Sequence, residues 1–346
     1  MGDPAGVGPE IIVGAWSSKR VQQWCRPFVV GHPDVLRAAA RLLGGRMEVV
    51  EIDSPDEAEP TQSLIPCLRS GTDLALEVSP GEISARAGQA AYDAIVLATD
   101  LALSGRVEGI VTAPLCKQSL QLAGLKYPGH TELLADLCSA SEAATMGYLP
   151  PDKDSLSPYG LGVVHVTFHI ALRDVPGSLT VPRILSKARL ADSILTKLRA
   201  DGTRPHIGVC ALNPHAGEGG LFGQEEREVI RPAVEMGLEE GLDLVGPLPT
   251  DTLMVAARDG RFDGVVAMYH DQGHIALRLM GFHRAVNITA GLPIVRTSVA
   301  HGIAFDIAWQ GRAQPTSMIE ALRVAGLLSS PSPQPVRDAL SPADIA

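Results

Sequence analysis

The chain of 346 residues is 45% hydrophobic and 20% charged, a balance that gives core enough for two domains or one large α/β domain and excludes wholesale disorder. Its net charge of −10, with no basic run interleaved with aromatics, argues against nucleic acid, so an anionic ligand must be met by local Arg, Lys, His or metal. The five cysteines are scattered without CxxC spacing, and there is neither an apolar run of about 18 residues nor a charged and apolar leader, which argues for a reducing cytoplasm and against disulfides, a membrane span and a signal peptide.

The first ten residues, MGDPAGVGPE, form a Gly- and Pro-punctuated loop that opens onto a helix, with Pro9 in its first turn and Glu10 near the positive end of the dipole. Such a loop ordinarily follows a β-strand, so either a first strand lies upstream of Met1 or the sheet begins differently. The spacing is neither GxGxxG nor a P-loop, and alone it reads as a plain turn. Residues 27–31 read as a strand, 33–43 as a helix stopped by Gly44 and Gly45, and 47–52 as a strand. The acidic, turn-rich stretch 53–81 reads as an irregular surface excursion. Small and apolar residues at helical spacing predict a long helix over 83–103. A buried strand over 109–114 follows, with Lys117 behind it as an anion contact or a solvated helix start.

In YPGHTE a loop opens a helix whose first turn carries His130 and Thr131, placed to donate to an anion or to cap the helix without one. Residues 162–169 alternate like a strand, which would set His165, Thr167 and His169 on one face, as a metal pair or as satisfied core histidines. A helix over 181–200, a strand over 206–212 and a loop over 213–220 carrying His215 come next. Then follow a helix over 231–241, a short strand over 243–245 and a loop over 246–252 with Asp251 near its end. The apolar run 264–267 predicts a buried parallel strand giving way to a loop, YHDQGH, that carries His270, Asp271 and His274. Polar groups sit inside β-type runs over 285–289 and 294–298. A helix or loop over 301–308, a last helix over 317–328 and a Ser- and Pro-rich disordered tail complete the chain, which has no internal repeat.

His169, His215 and His270 all fall at or just past the ends of expected strands. Three imidazoles can hold Zn²⁺ or a similar divalent ion and leave positions open for substrate, and Asp251 and Asp271 suit the role of fixing ligand tautomers. Ten histidines allow many such triples, so spacing leaves the metal reading and the core reading both open.

The stretches MGDPAGVGPE, YPGHTE, HIALRD, LNPHAGEGG, GPLPTDT, YHDQG, VNITAGLP with IVRTS, and HGIAFDIA resemble, in order, the motifs of the 4-hydroxythreonine-4-phosphate dehydrogenase family. That family is related to isocitrate and isopropylmalate dehydrogenases, which implies an α/β fold with two α/β domains flanking a cleft. Residues 1–118 with 288–330 would form domain one with the NAD-site segments. Residues 119–287 would form domain two with the metal-site and dimer-interface segments, and 331–346 a disordered tail. The resemblance implies a metal-dependent, NAD-linked dehydrogenase acting on a CH–OH group of a 4-phosphorylated hydroxy acid, with decarboxylation, in a homodimer whose subunits share each active site.

Residue by residue, the resemblance makes His169, His215 and His270 the ligands of one divalent ion per site, zinc or else magnesium, cobalt or manganese. Asp251, Asp271 and Arg278 match its catalytic positions. His130, Thr131, Arg278, Asn287 and Arg296 match the positions that hold the phosphorylated substrate, while Gly6, Gly8, His301, Gly302 and Asp306 match the NAD site. Arg278 stands where the family usually has lysine, which keeps anion binding and loses a proton-transfer role. Ala300 replaces an aspartate of the family's SVDHG motif. The pairs His165/His169 and His270/His274 resemble a catabolic branch acting on 4-phospho-D-threonate or 4-phospho-D-erythronate more than the pyridoxine-biosynthetic branch. They also resemble a more distant relative that oxidises an aromatic cis-dihydrodiol. A metal-dependent hydrolase or lyase, or a non-catalytic phosphate-ester binder, would use the same histidines without the NAD segments.

Overall fold

The computed structural model describes residues 1–153, 157–199 and 201–330. They divide into two compact units, Met1–Ala143 with Leu292–Ser329, and Ala144–Gly291. The first unit is built from two segments, and its boundaries differ from the 118/119 and 287/288 of the sequence reading. Residues 119–143 join the first unit because Leu133 and Leu134 are buried in an apolar cluster with Ile95, Ala98 and Ile110. Residues 288–291 stay with the second because their strand pairs along its length with Ala144–Leu149. The tail expected over 331–346 lies outside the described residues.

In chain order the first unit opens with β1 (Val29–Gly31), β2 (Glu48–Ile52), β3 (Leu64–Arg69) and β4 (Gly109–Thr112). β3 lies between β1 and β2 and runs parallel to both. The stretch 53–81 is therefore no surface excursion: it holds the middle strand of a sheet, with Ile65 and Cys67 at 0% exposure. Pro66 has no N–H to give the ladder and so disguises an otherwise apolar run. Helices Gly8–Trp16 and Pro33–Leu42 bring Trp16 and Leu36 into the same core as Ile65. The long helix Ala85–Leu103 starts at Ser84, whose hydroxyl accepts the Ala87 N–H. Gly88 lets this helix approach its neighbour, since a Cβ there would stand 2.1 Å from the Ser119 carbonyl oxygen.

The second unit contains β5 (Ala144–Leu149), β6 (Leu161–His165), β7 (Ile207–Cys210), β8 (Leu244–Leu248), β9 (Gly264–Ala267) and β10 (Val286–Ala290), and β11 (Val295–Val299) returns to the first unit beside β4. Its strand order is β10-β5-β6-β9-β7-β8. The first two pairings are antiparallel and the remaining three parallel. β6, β9 and β7 are buried from end to end, as parallel strands covered on both faces must be.

Three expectations change here. β6 stops at His165, so 162–169 is not one alternating strand. β8 extends to Leu248 and a helix, Thr250–Arg258, begins two residues later, leaving almost nothing of the loop expected over 246–252. YHDQGH is not a loop either: only Met268 and Tyr269 separate β9 from the helix His270–Gly281. Among the described residues no helix is long and apolar enough to cross a membrane.

The place of β3 is open to test by denaturation. Ile65→Ala should cost about 2–5 kcal/mol of stability, as a truncation in a packed core does, whereas a loss below about 0.5 kcal/mol, the usual surface value, would return the segment to the surface.

Candidate active site

β6, β9, β7 and β8 lie side by side and parallel, so their carboxyl ends share one edge of the second unit's sheet. His165 and His169 follow from β6, His270 and His274 from β9, His215 from β7 and Asp251 from β8. Ligand chemistry in open α/β sheets sits at such an edge.

The helix His270–Gly281 presents His270, His274 and Arg278 at successive four-residue steps, hence along one face. The His270 and His274 rings stack with centroids 4.1 Å apart, and His274 Nδ1 lies 3.1 Å from His165 Nε2. The His169 ring lies 6.0 Å from that of His270, with Phe168 packed against both. This close approach depends on Gly273, where a Cβ would come within 2.5 Å of His165 Nε2. Burial, reinforced by His274 and His270, pushes His165 down to about 3. Burial followed by the charges of His270 and Arg278 pushes His274 down to about 4. Both imidazoles are therefore neutral in the folded protein at pH 7. Asp271 Oδ1 sits 2.6 Å from His270 Nδ1, which fixes the proton there and leaves Nε2 as the donor atom, the arrangement a metal-ligating histidine needs.

His215 occupies a different kind of place. It starts a run, His215 to Gly219, in which every residue has φ between 42° and 74°. His215, Ala216 and Glu218 hold a left-handed conformation that non-glycine residues seldom take. Among the described residues no three His, Cys, Asp or Glu of a single chain converge closely enough to hold a metal ion. Asp251, in the first turn of Thr250–Arg258, is exposed and accepts the Thr252 N–H.

Gln272 was not anticipated as a site residue, yet it ties three strand ends together. Its Oε1 accepts the Met268 N–H at 2.6 Å, and its Nε2 donates to the Ala211 carbonyl at 2.8 Å and to Thr250 Oγ1 at 3.0 Å. The sequence signal was only a glutamine soon after a buried strand; its place on the first turn of a helix came from the fold.

The residues expected to hold the substrate's phosphate fall in both units. In the first unit His130 and Thr131 open the helix His130–Leu137, and His130 Nε2 is buried without a hydrogen-bond partner among the described residues. Burial and the neighbouring Arg296 charge push His130 well below its usual range. Arg296, buried on β11, donates to Thr112 Oγ1 at 2.6 Å, and burial lowers it to about 9, which leaves it cationic at neutral pH. A buried guanidinium beside a helix N-terminus and an unsatisfied imidazole nitrogen suits a phosphate. In the second unit Asn287 sits on β10 opposite Gly147, and Arg278 is exposed with Cζ 5.8 Å from the Phe282 ring centroid.

The two segments expected at the NAD site meet in the first unit. Val7 N–H donates to the Ile303 carbonyl at 3.2 Å, and a Cβ on Gly6 would stand 2.2 Å from Ile303 Cγ1. Glu10 accepts the N–H of Trp309 and of Gly311, each at 2.6 Å, and Trp309 Nε1 donates to the Pro4 carbonyl. Gly8 opens the first helix, while Gly302 and Asp306 are exposed on the facing turn, with His301 half-buried between them and Ala300. Gly6 and Gly8 are themselves buried, and the Gly6 and Val7 N–H groups are taken by the Asp3 and Ile303 carbonyls, so the surface this region offers a ligand is the exposed turn at Gly302 and Asp306.

A family model described as "Pyridoxal phosphate biosynthetic protein PdxA" matches residues 23–325. The chain belongs to this family. It is 44% identical over 326 residues to the D-threonate 4-phosphate dehydrogenase of Pectobacterium atrosepticum, covering 94% of this chain and 96% of the relative. The crystal structure of 4-hydroxythreonine-4-phosphate dehydrogenase from Klebsiella pneumoniae superposes with a TM-score of 0.82 at 43% identity, over 95% of this chain and 98% of that one. A terephthalate 1,2-cis-dihydrodiol dehydrogenase from Burkholderia xenovorans matches at TM-score 0.62 and 28% identity, over 94% and 96% of the two chains. This member of the PdxA family is accordingly an enzyme of the dehydrogenase class with a mixed α/β fold.

The histidine cluster makes stability depend on pH. His165 and His274 have folded-state values below the unfolded value of about 6.5, so between pH 6.5 and about 4 the unfolded chain binds more protons than the folded one. Stability should therefore be full above pH 7 and fall on acidification, with a slope approaching about 1.4 kcal/mol per pH unit for each group. Urea titrations in the presence of chelator would show this, and His274→Asn should flatten the slope; an unchanged slope in that variant would exclude His274 as a source.

Proposed function

We propose that this enzyme oxidises the secondary hydroxyl of a 4-phosphorylated hydroxy acid, of the D-threonate 4-phosphate class, with NAD as hydride acceptor and a divalent metal ion as Lewis acid. The observation that carries this reading is the near full-length likeness to D-threonate 4-phosphate dehydrogenase. The pairing of His165 with His274 supports the same branch, since those histidines belong to the motif pairs that resemble it. The Arg296 and His130 pair favours a phosphorylated substrate over an aromatic diol.

The chain's own residues divide the work. His169, His215 and His270 would hold the ion, with Asp271 setting the His270 tautomer. When bound, the ion lowers the pKa of the substrate hydroxyl and holds it toward the nicotinamide. Arg296, His130 and Thr131 are the candidates to hold the phosphate, a remote contact of the kind that orients a reacting carbon, and Arg278 adds positive charge to the helix face that carries His270 and His274. Hydride transfer to NAD from the carbon that bears the hydroxyl β to the carboxylate, with the hydroxyl proton lost, would give a β-keto acid, which then loses CO₂. The turn at His301, Gly302 and Asp306 would receive the dinucleotide.

We place the site across a homodimer, with His270 meeting His169 and His215 of the other copy. Ile275 and Leu279, 57% and 84% exposed on the helix that begins at His270, are the apolar surface a subunit interface would cover. A reducing cytoplasm suits the free thiols at Cys25, Cys67, Cys116, Cys138 and Cys210.

The direct test is NADH formation from D-threonate 4-phosphate, with 4-hydroxy-L-threonine 4-phosphate, D-erythronate 4-phosphate and an aromatic cis-dihydrodiol in parallel. EDTA should abolish turnover, and Zn²⁺, Mg²⁺, Co²⁺ or Mn²⁺ should restore it; full activity in verified metal-free protein would remove the metal from the reading. His215→Ala should lower kcat/KM more than about a hundredfold, the upper end of the cost of a disturbed metal ligand.

A further inference from the structure

The left-handed run that carries His215 has an identifiable support that the family motifs do not account for. Left-handed backbone is unfavourable for L-residues and is visited in single positions rather than runs, so five in succession persist only where the surroundings over-determine them. The support is Glu226, 4% exposed, eleven positions further on at the start of the next helix. Its Oε1 accepts the Leu212 N–H at 2.8 Å and the Asn213 N–H at 2.7 Å, and its Oε2 accepts Asn213 Nδ2 at 3.0 Å. Asn213 Nδ2 is also held by Glu225 Oε2 at 2.8 Å. The clamp thus fixes the two residues that lead through Pro214 into His215.

The glycines around the clamp are shaped to it. A Cβ on Gly217 would stand 2.6 Å from Glu226 Oε2, and one on Gly223 would stand 2.4 Å from Asn213 Nδ2. Burial works against a charged Glu226, but the hydrogen bonds from Asn213 and Leu212 outweigh it and hold the carboxyl below its usual range. A buried carboxylate accepting backbone N–H groups makes charge-assisted bonds, roughly twice as strong as neutral ones.

We propose that Glu226 is a positioning residue of the active site: it touches neither substrate nor metal, and it acts by locking the His215 loop in the left-handed shape that delivers the imidazole to the metal. The inference rests on the reading of His215 as a metal ligand. Removing Glu226 leaves the Leu212 and Asn213 N–H groups without their acceptor, so the loop relaxes toward ordinary backbone and His215 is delivered only part of the time. Metal affinity then falls, while chemistry in the fraction that has captured metal remains.

The experiment measures Zn²⁺ and Mn²⁺ dissociation constants of the full chain by competition with a fluorescent chelator, for wild type, H215A, E226A, E226Q and G217A, together with turnover at saturating metal and hydrogen exchange over 212–220. E226A should weaken metal binding by about 10–100-fold, the range found for residues that orient ligands, recover turnover to within several-fold when metal saturates, and speed exchange in the loop. E226Q keeps one acceptor oxygen for the two backbone N–H groups and should fall between E226A and wild type. G217A leaves the carboxylate in place but drives a methyl into it, so it should weaken metal binding even if E226A fails to fold. Wild-type metal affinity in E226A and E226Q, or in G217A if E226A does not fold, with H215A defective, would overturn the positioning role and leave the metal site standing. Unchanged affinity in H215A would instead overturn the metal reading of His215, and the inference with it.

Discussion

The parallel pairing of β6, β9, β7 and β8 is the constraint on which the candidate site depends. Parallel strands place all their carboxyl ends on one edge, and four segments far apart in sequence leave the sheet there. His169, His215, Asp251 and His270 are delivered to that edge by this arrangement without any local signal that they belong together. Gln272 then joins the ends of β7, β8 and β9 through Ala211, Thr250 and Met268, so the edge is cross-linked by side chain as well as by the ladder.

Two buried carboxylates do comparable work in the two units. In the first, Glu10 accepts the N–H groups of Trp309 and Gly311, and Trp309 sits at φ 58°. In the second, Glu226 accepts those of Leu212 and Asn213 ahead of the left-handed His215 loop. In each case a charge that would be costly to bury is offset by several N–H donors. A strained loop beside a candidate ligand site is held in place as a result. The glycines at 6 and 217 complete both arrangements by leaving room where a methyl would collide.

The histidine cluster follows another rule. Packing His165, His270 and His274 within a few ångströms is tolerable only while most of them are neutral, and burial with mutual repulsion keeps His165 and His274 so. Neutral imidazole is also the form that offers a lone pair to a cation. The same packing that holds the rings together therefore prepares donors, and Asp271 selects which nitrogen of His270 is offered.

By itself the sequence determined the element types wherever the apolar period was unbroken, as in β9 and the helix Ala85–Leu103, and it marked His169, His215 and His270 because each stood beside such an element. Motif order over the length of the chain identified the family, since eight ordered stretches are far more specific than any one spacing. Only the tertiary structure decided that 53–81 contains a central strand, because Pro66 interrupts the local pattern while burial on both sides supplies the stability. It alone turned YHDQGH into a helix, setting His270, His274 and Arg278 in line, because two connecting residues suffice once β9 is fixed in the sheet. Glu226 was invisible for the same reason: a glutamate on a polar helix start reads as solvated, and only the fold brings the donors of Leu212 and Asn213 to it.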